Sequence, residues 1–261
     1  MKLNTIYNED CFGTMERLES NSVDLILTSP PYNMTSRKGG TSDKGRYDIY
    51  RDWMSETDYL LFTVNLFKRF DKILKKNKVV IYNFSYSIES PSLPYKLVNE
   101  IEKNTNFGLV DTIVWKKKSG LPFPANKQRL SRNWEFVFVF VRKEDFDTFD
   151  IYKGISSTSE KTGQVYYNVF YNYIEASNND GKCPFNNATF STDLVTQLLD
   201  LYATDGYVVY DPFMGSGTTA VACKMKGLPW IGSELSENQI KWANDRLEKV
   251  VVTKPENILF E

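Results

Sequence analysis

Val208-Val209-Tyr210-Asp211-Pro212-Phe213-Met214-Gly215-Ser216-Gly217-Thr218-Thr219 carries an apolar run into a glycine loop and then into residues that open a helix. Gly215 and Gly217 stand where strand turns into helix, so the backbone can approach a ligand and the first helical amides face it. The spacing is not G-x-G-x-x-G, and no G-K-[ST] follows, which excludes a Walker phosphate loop. Glu234 closes the next apolar run, where a carboxylate in a doubly wound fold accepts both hydroxyls of a ribose. Phe213 offers a ring that suits packing under a flat adenine. The loop from Asp211 through Pro212 and Ser216 to Thr218, together with Glu234, points to a nucleoside cofactor. The plainer alternative is a tight structural turn beside a surface glutamate.

Outward from the loop, Thr219 to Lys226 reads as a helix stopped by Gly227, Trp230 to Ser233 as a strand, and Glu237 to Val250 as a helix. Upstream, Ser191-Thr192-Asp193 is a candidate cap for a helix carrying Leu194, Leu198, Leu199 and Tyr202. This order predicts an α/β fold with a Rossmann-like sheet. Nearer the start, Val23 to Leu27 reads as a buried parallel strand that ends before Pro30-Pro31. Ser55 and Asp58 form a capping box, and Leu60, Val64, Phe67 and Leu74 follow at helical spacing. Val79 to Phe84 reads as another strand. From Trp115 to Pro184 the regular alternation fails: Phe136 to Val141 is strand-like, flanked by basic loops and by segments rich in Tyr, Asn, Ser and Gly. The chain therefore divides into 1–114, an inserted region at 115–183, and 184–261.

Ser29-Pro30-Pro31-Tyr32 follows the first buried strand, at the carboxyl end where open α/β sheets place ligands. The Ser29 hydroxyl and the Pro30 carbonyl offer two acceptors, Pro30-Pro31 a stiff bend, and Tyr32 a flat face. Together they suit an aromatic amine held by two hydrogen bonds with its ring stacked. A Pro-Pro turn with no ligand is the competing reading.

Composition narrows the chemistry. Among 261 residues there is no histidine, so an imidazole base, a Ser-His-Asp triad and the common zinc sites are excluded. The three cysteines, Cys11, Cys183 and Cys223, share no metal-like spacing, and no metal site is expected. No apolar run approaches the roughly 20 residues of a membrane span, and the N-terminus lacks a signal-peptide pattern, so the expectation is a soluble, cytoplasmic protein without membrane contact. The net charge of −1 gives no global attraction to polyanions, yet it hides local patches. Lys116, Lys117, Lys118, Lys127, Arg129 and Arg132 lie in a stretch without an acid, and Arg37 and Lys38 begin a second basic stretch. Such patches suit phosphate binding over a limited footprint; solvated loops are the bland alternative.

Ser29-Pro30-Pro31-Tyr32 matches the (D/S)-P-P-(Y/F) tetrapeptide of DNA amino-methyltransferases, and Asp211 to Thr219 resembles their D-P-F-x-G-S-G-T-T loop. In this permuted order, catalytic motif first and cofactor loop last, the chain resembles the beta class of these S-adenosylmethionine-dependent enzymes. Asp10-Cys11 is similar to the family's G-D-C segment, with Glu9 in place of the glycine, and Ile231-Gly232-Ser233-Glu234 to its I-G-x-E. The family's Lys-Pro pair before the cofactor loop is missing from Phe185 to Ser191, which leaves Phe190, Ser191 or backbone to make those contacts. The resemblance implies S-adenosyl-L-methionine as cofactor and double-stranded DNA as partner, with a flipped cytosine (N4) or adenine (N6) as target. Serine in the tetrapeptide leans toward cytosine. An RNA or protein amide methyltransferase, whose tetrapeptide usually begins with Asn, is the nearest alternative, and a non-catalytic nucleic-acid-binding module the more distant one. A cognate restriction endonuclease and a homodimer are further partners to test.

Overall fold

The computed structural model describes residues 1–33, 54–85, 90–119, 130–180, 183–186 and 189–250. In chain order the main elements are β1 (Thr5–Asn8), α1 (Cys11–Arg17), β2 (Val23–Thr28), α2 (Glu56–Ile73), β3 (Leu74–Phe84), α3 (Leu93–Asn104), β4 (Phe107–Lys117) and β5 (Trp134–Arg142). There follow β6 (Ile155–Thr158), β7 (Val165–Tyr167), β8 (Tyr173–Ala176), α4 (Thr192–Tyr202), β9 (Val209–Asp211), α5 (Thr218–Lys226), β10 (Trp230–Glu234) and α6 (Glu237–Glu248).

Eight strands form one sheet in the order β1-β10-β9-β2-β3-β5-β4-β8. All neighbouring pairs are parallel except those made by β5, which runs antiparallel between β3 and β4. Both faces are covered, which is why β2 is apolar from Val23 to Leu27 at every position but Asp24. Ile26, Val80, Tyr82 and Phe140 pack with Phe67, Phe70 and Leu97 of α2 and α3 on one face. Leu25, Leu27, Ile81 and Val139 pack with Leu194, Leu198 and Ala222 of α4 and α5 on the other. This is the Rossmann-like α/β architecture with permuted element order that the sequence predicts.

The site is placed by the central pair. β2 and β9 are adjacent, with Leu25 opposite Val209 and Ile26 opposite Tyr210. From β9 the chain crosses through α5 to β10 on one side, and from β2 through α2 to β3 on the other. The carboxyl ends of β2 and β9 thus flank a topological switch point, where open sheets bind ligands.

Local signals behave as their chemistry dictates, with two differences. The Ser55 hydroxyl accepts the Asp58 amide at 3.1 Å, as a capping box requires. Leu74 continues the apolar spacing of α2 but opens β3, because it drops into the same core while the backbone turns extended. Ser191 sits at the N-cap of α4 without capping it through its side chain. Its hydroxyl pairs with the Ser177 hydroxyl at 2.7 Å, and the Thr192 amide donates instead to Asp180 Oδ1 at 2.7 Å.

The boundary drawn at residue 115 falls inside β4, and Trp115 is a core residue, 1% exposed. β5 belongs to the interior of the main sheet, and β6 with β7 makes a separate two-stranded ribbon. Among the described residues no helix is long and apolar enough to cross a membrane.

Candidate active site

Asp211 ends β9 fully buried. Its Oδ1 accepts the Thr28 hydroxyl at 2.7 Å and the Phe213 amide at 3.0 Å, and its Oδ2 accepts the Thr219 hydroxyl at 2.5 Å. One carboxylate therefore ties the end of β2 to the loop and to the start of α5. Burial pushes its pKa up to about 6, against the pull of those hydrogen bonds.

A cleft of about 920 Å³, counting its open mouth, lies over this junction. Its walls include Asp10 and Cys11 at the start of α1, Ser29 and Pro31 beyond β2, and Phe190 before α4. Pro212, Phe213, Gly215, Ser216, Thr218 and Glu234 complete the side formed by the loop and β10. Ser191, Asp211, Gly217 and Tyr32 are not on the wall, and Pro30 is at its edge, between Ser29 and Pro31, which are. Gly217 has φ 83°, and a Cβ there would lie 2.6 Å from the Ala243 Cβ, so this glycine serves the close approach of α5 and α6. Gly215, at φ 53°, is the glycine that borders the cleft.

Glu234 Oε2 accepts the Gly215 amide at 2.8 Å and Oε1 the Ser236 amide at 2.9 Å. Each oxygen keeps a second lone pair for a hydroxyl. Burial raises its pKa, and the backbone amides oppose that shift. Asp10 caps α1 through the Phe12 amide at 2.8 Å. The Cys11 thiol is pushed far up, first by burial and then by the Asp10 charge, which keeps it from acting as a thiolate nucleophile. The rings of Phe213, Phe190 and Phe62 and the diol-ready carboxylate of Glu234 suit an adenosyl group.

Beside the cleft, the Ser29 hydroxyl lies 2.8 Å from the Tyr32 hydroxyl. Tyr32 is buried, its ring edge-on to Phe84 at 5.2 Å, and its hydroxyl donates to Glu135 Oε2 at 3.0 Å. Asn83 donates to the Tyr32 hydroxyl, to Glu135 Oε2 at 3.1 Å and to Ser29 Oγ at 3.4 Å. The Pro31 carbonyl accepts the Tyr59 hydroxyl at 2.7 Å, fixing the bend to α2. Asn83, Glu135, Asn186 and Gln239 are site or near-site residues that the motif search missed. For Asn83 and Glu135 a signal existed: each stands one residue inside the end of an otherwise apolar or aromatic stretch, 79–84 and 134–141.

Three lysines of the basic run face acids: Lys116 pairs with Glu175 at 2.6 Å, Lys117 with Glu135 at 2.5 Å and Lys118 with Asp193 at 3.0 Å. Arg132 is half-buried just before β5. Arg37, Lys38, Lys127 and Arg129 lie outside the described residues.

The sheet order, the switch-point cleft and the buried acid beneath its glycine loop define a Rossmann-like methyltransferase. Residues 23–245 match the family described as DNA methylase, the N6/N4 methyltransferases, and the chain belongs to it. It is a DNA methyltransferase that uses S-adenosylmethionine and acts on the amino nitrogen of cytosine or adenine. The type II methyltransferase M.Cfr9I of Citrobacter freundii is 24% identical, over 94% of this chain and 87% of that protein. Among solved structures, PvuII DNA methyltransferase (cytosine-N4-specific) superposes with a TM-score of 0.70 at 18% identity, covering 93% of this chain and 85% of that one. The M1.HpyAVI-SAM complex does so at 0.59 and 22%, covering 93% and 98%. These structural likenesses speak to the fold alone.

On the expectation that Glu234 accepts both ribose hydroxyls, its replacement with alanine would weaken S-adenosylmethionine binding about 100-fold, by removing two charged hydrogen bonds worth roughly 1.5 kcal/mol or more each. Calorimetry measures this directly, and wild-type affinity in the variant removes Glu234 from the site.

Proposed function

We propose that this enzyme methylates the N4 of a cytosine flipped from the duplex, with Ser29 and the Pro30 carbonyl accepting hydrogen bonds from the amino group. The observation that carries this reading is Ser29 itself, a serine heading the tetrapeptide and lining the same cleft as Phe213 and Glu234. Two acceptors on the amine favour a pyramidal nitrogen with its lone pair free for attack. S-adenosylmethionine supplies an electrophilic methyl when bound; Glu234 would hold its ribose, and Phe213 and Phe190 would pack its adenine. The nitrogen is the nucleophile, so the inert Cys11 thiol is compatible with the chemistry. The test is to treat mixed-sequence DNA with labelled cofactor, hydrolyse it and separate the nucleosides by mass spectrometry. N4-methylcytosine is expected. N6-methyladenine overturns the choice of base, and methyl in neither overturns the reading.

The DNA-facing surface is proposed at the same end of the sheet. Lys116 and Trp134 are paired residues, as are Phe84 and Phe136, which brings Lys116, Lys117, Lys118 and Arg132 to the end where β2 and β9 terminate. Phosphates must compete there with Glu175, Glu135 and Asp193. Loss of a phosphate contact flattens the salt dependence of DNA binding by about one unit, which is the result expected of Arg132→Ala; Lys117→Ala, whose ammonium pairs with Glu135, is expected to leave the slope near wild type. Affinity against salt on scrambled duplexes checks this, and a slope unchanged by Arg132→Ala removes it from the phosphate contacts. The type II designation of M.Cfr9I supports a companion restriction endonuclease, and light scattering tests for a homodimer.

A further inference from the structure

We propose that Glu135 terminates a proton path that starts at the target amine and runs through the hydroxyls of Ser29 and Tyr32. The inference rests on the reading of Ser29 just given. Ser29 Oγ is on the cleft wall, whereas Tyr32 is behind it, so the contact at 2.8 Å leads from the cleft inward. The next contact, Tyr32 hydroxyl to Glu135 Oε2 at 3.0 Å, ends on a carboxylate. Glu135 Oε1 holds the Lys117 ammonium at 2.5 Å, and the two side chains are 13% and 24% exposed, which gives the far end of the path access to water. Asn83 Nδ2 lies within hydrogen-bond distance of all three oxygens of the path, which share its two N–H groups. Four polar side chains, Asn83 of β3, Glu135 of β5 and Ser29 and Tyr32 of the turn after β2, thus converge beside the aromatic rings of Phe84, Phe136 and Tyr59.

Methylation of an amine creates the need for such a path. The nitrogen lone pair forms the new N–C bond, the C–S bond breaks with its electron pair left on sulfur, and the nitrogen gains a positive charge. One N–H proton then moves to Ser29 Oγ, the Ser29 proton moves to the Tyr32 oxygen, and the Tyr32 proton moves to Glu135 Oε2. The base ends neutral, both hydroxyls are regenerated, and Glu135 carries one proton, which it returns to water beside Lys117. In a chain without histidine, this carboxylate takes the part that an imidazole would otherwise serve. Glu135 and Asn83 act through Ser29 and Tyr32 and are positioning residues in this scheme.

The path makes the Tyr32 hydroxyl as important as its ring. In single-turnover assays, Glu135→Gln and Tyr32→Phe are each expected to slow methyl transfer about 100-fold, the lower end of what a positioned base contributes. Glu135→Asp, which keeps the carboxylate, should recover most of the rate. The double variant should be no slower than the slower single one, because both changes cut one path. Cofactor affinity should stay near wild type in all of them, which also reports that they fold. Infrared difference spectra of the enzyme during turnover should show a transient protonated carboxyl that is absent in Glu135→Gln. Rates that fall multiplicatively in the double variant, or a Glu135→Gln enzyme as fast as wild type, overturn the path while leaving Ser29 in its role. Full activity in Ser29→Ala overturns the reading of Ser29 and the path with it.

Discussion

Ser29→Ala is expected to slow methyl transfer by about 2–4 kcal/mol, roughly 30- to 900-fold, with cofactor affinity close to wild type. Loss of a transition-state hydrogen-bond partner sets this scale. Ser29 lines the cleft but makes none of the contacts that shape the cofactor loop, so its loss should appear in the chemical step. Single-turnover rates at saturating DNA and cofactor separate that step from binding. An unchanged rate would take Ser29 out of catalysis and return the Pro-Pro bend to a purely structural role.

Asp211→Ala is expected to cost about 3 kcal/mol or more of stability at neutral pH, while Asp211→Asn stays near wild type. The carboxylate is buried and accepts three donors from β2, the loop and α5. Alanine leaves two hydroxyls and an amide short of a partner, each costing about 1–3 kcal/mol. Asparagine keeps the oxygen that takes Thr28 and Phe213, and its amide can donate to the Thr219 hydroxyl once that hydroxyl turns. It also removes the cost of a buried charge, which is the main cause of the raised pKa. The sign follows from linkage: with the folded pKa raised from 3.8 to about 6, protonation favours the folded state. That contribution is full below the unfolded value and is lost as pH rises through about 6. Urea denaturation of the three proteins between about pH 3 and about pH 8, on either side of that window, reads both effects. Cofactor binding that fails in Asp211→Asn would instead show that the charge itself is used.

Much of the site was legible because its motifs are local. Ser29 to Tyr32 and Asp211 to Thr218 must each bend sharply at the end of a buried strand, and Pro, Gly and small hydroxyl residues are what such bends need. The missing Lys-Pro pair shows where local reading stops. Phe190 and Ser191 were equal candidates, and only the packing of α4 turns Phe190 to the cleft and Ser191 to Ser177.

The basic run shows the limit more sharply. Lys116, Lys117 and Lys118 stand in a stretch free of acids, yet β8, β5 and α4 bring Glu175, Glu135 and Asp193 against them. Charge counted along a chain ignores partners that arrive through the sheet.

By itself, the sequence determined the sheet class, the order of the two motifs and the glycine loop between β9 and α5, because hydrophobic periodicity and turn chemistry act over a few residues. The tertiary structure alone decided that Asp211 is a buried tie, that Gly217 serves helix packing, and that Asn83 and Glu135 stand behind Tyr32. Those outcomes depend on β2 lying between β9 and β3 and on β5 entering antiparallel beside β3. Pairings between strands so far apart in the chain are selected by burial of the whole sheet, and no local stretch of residues encodes them.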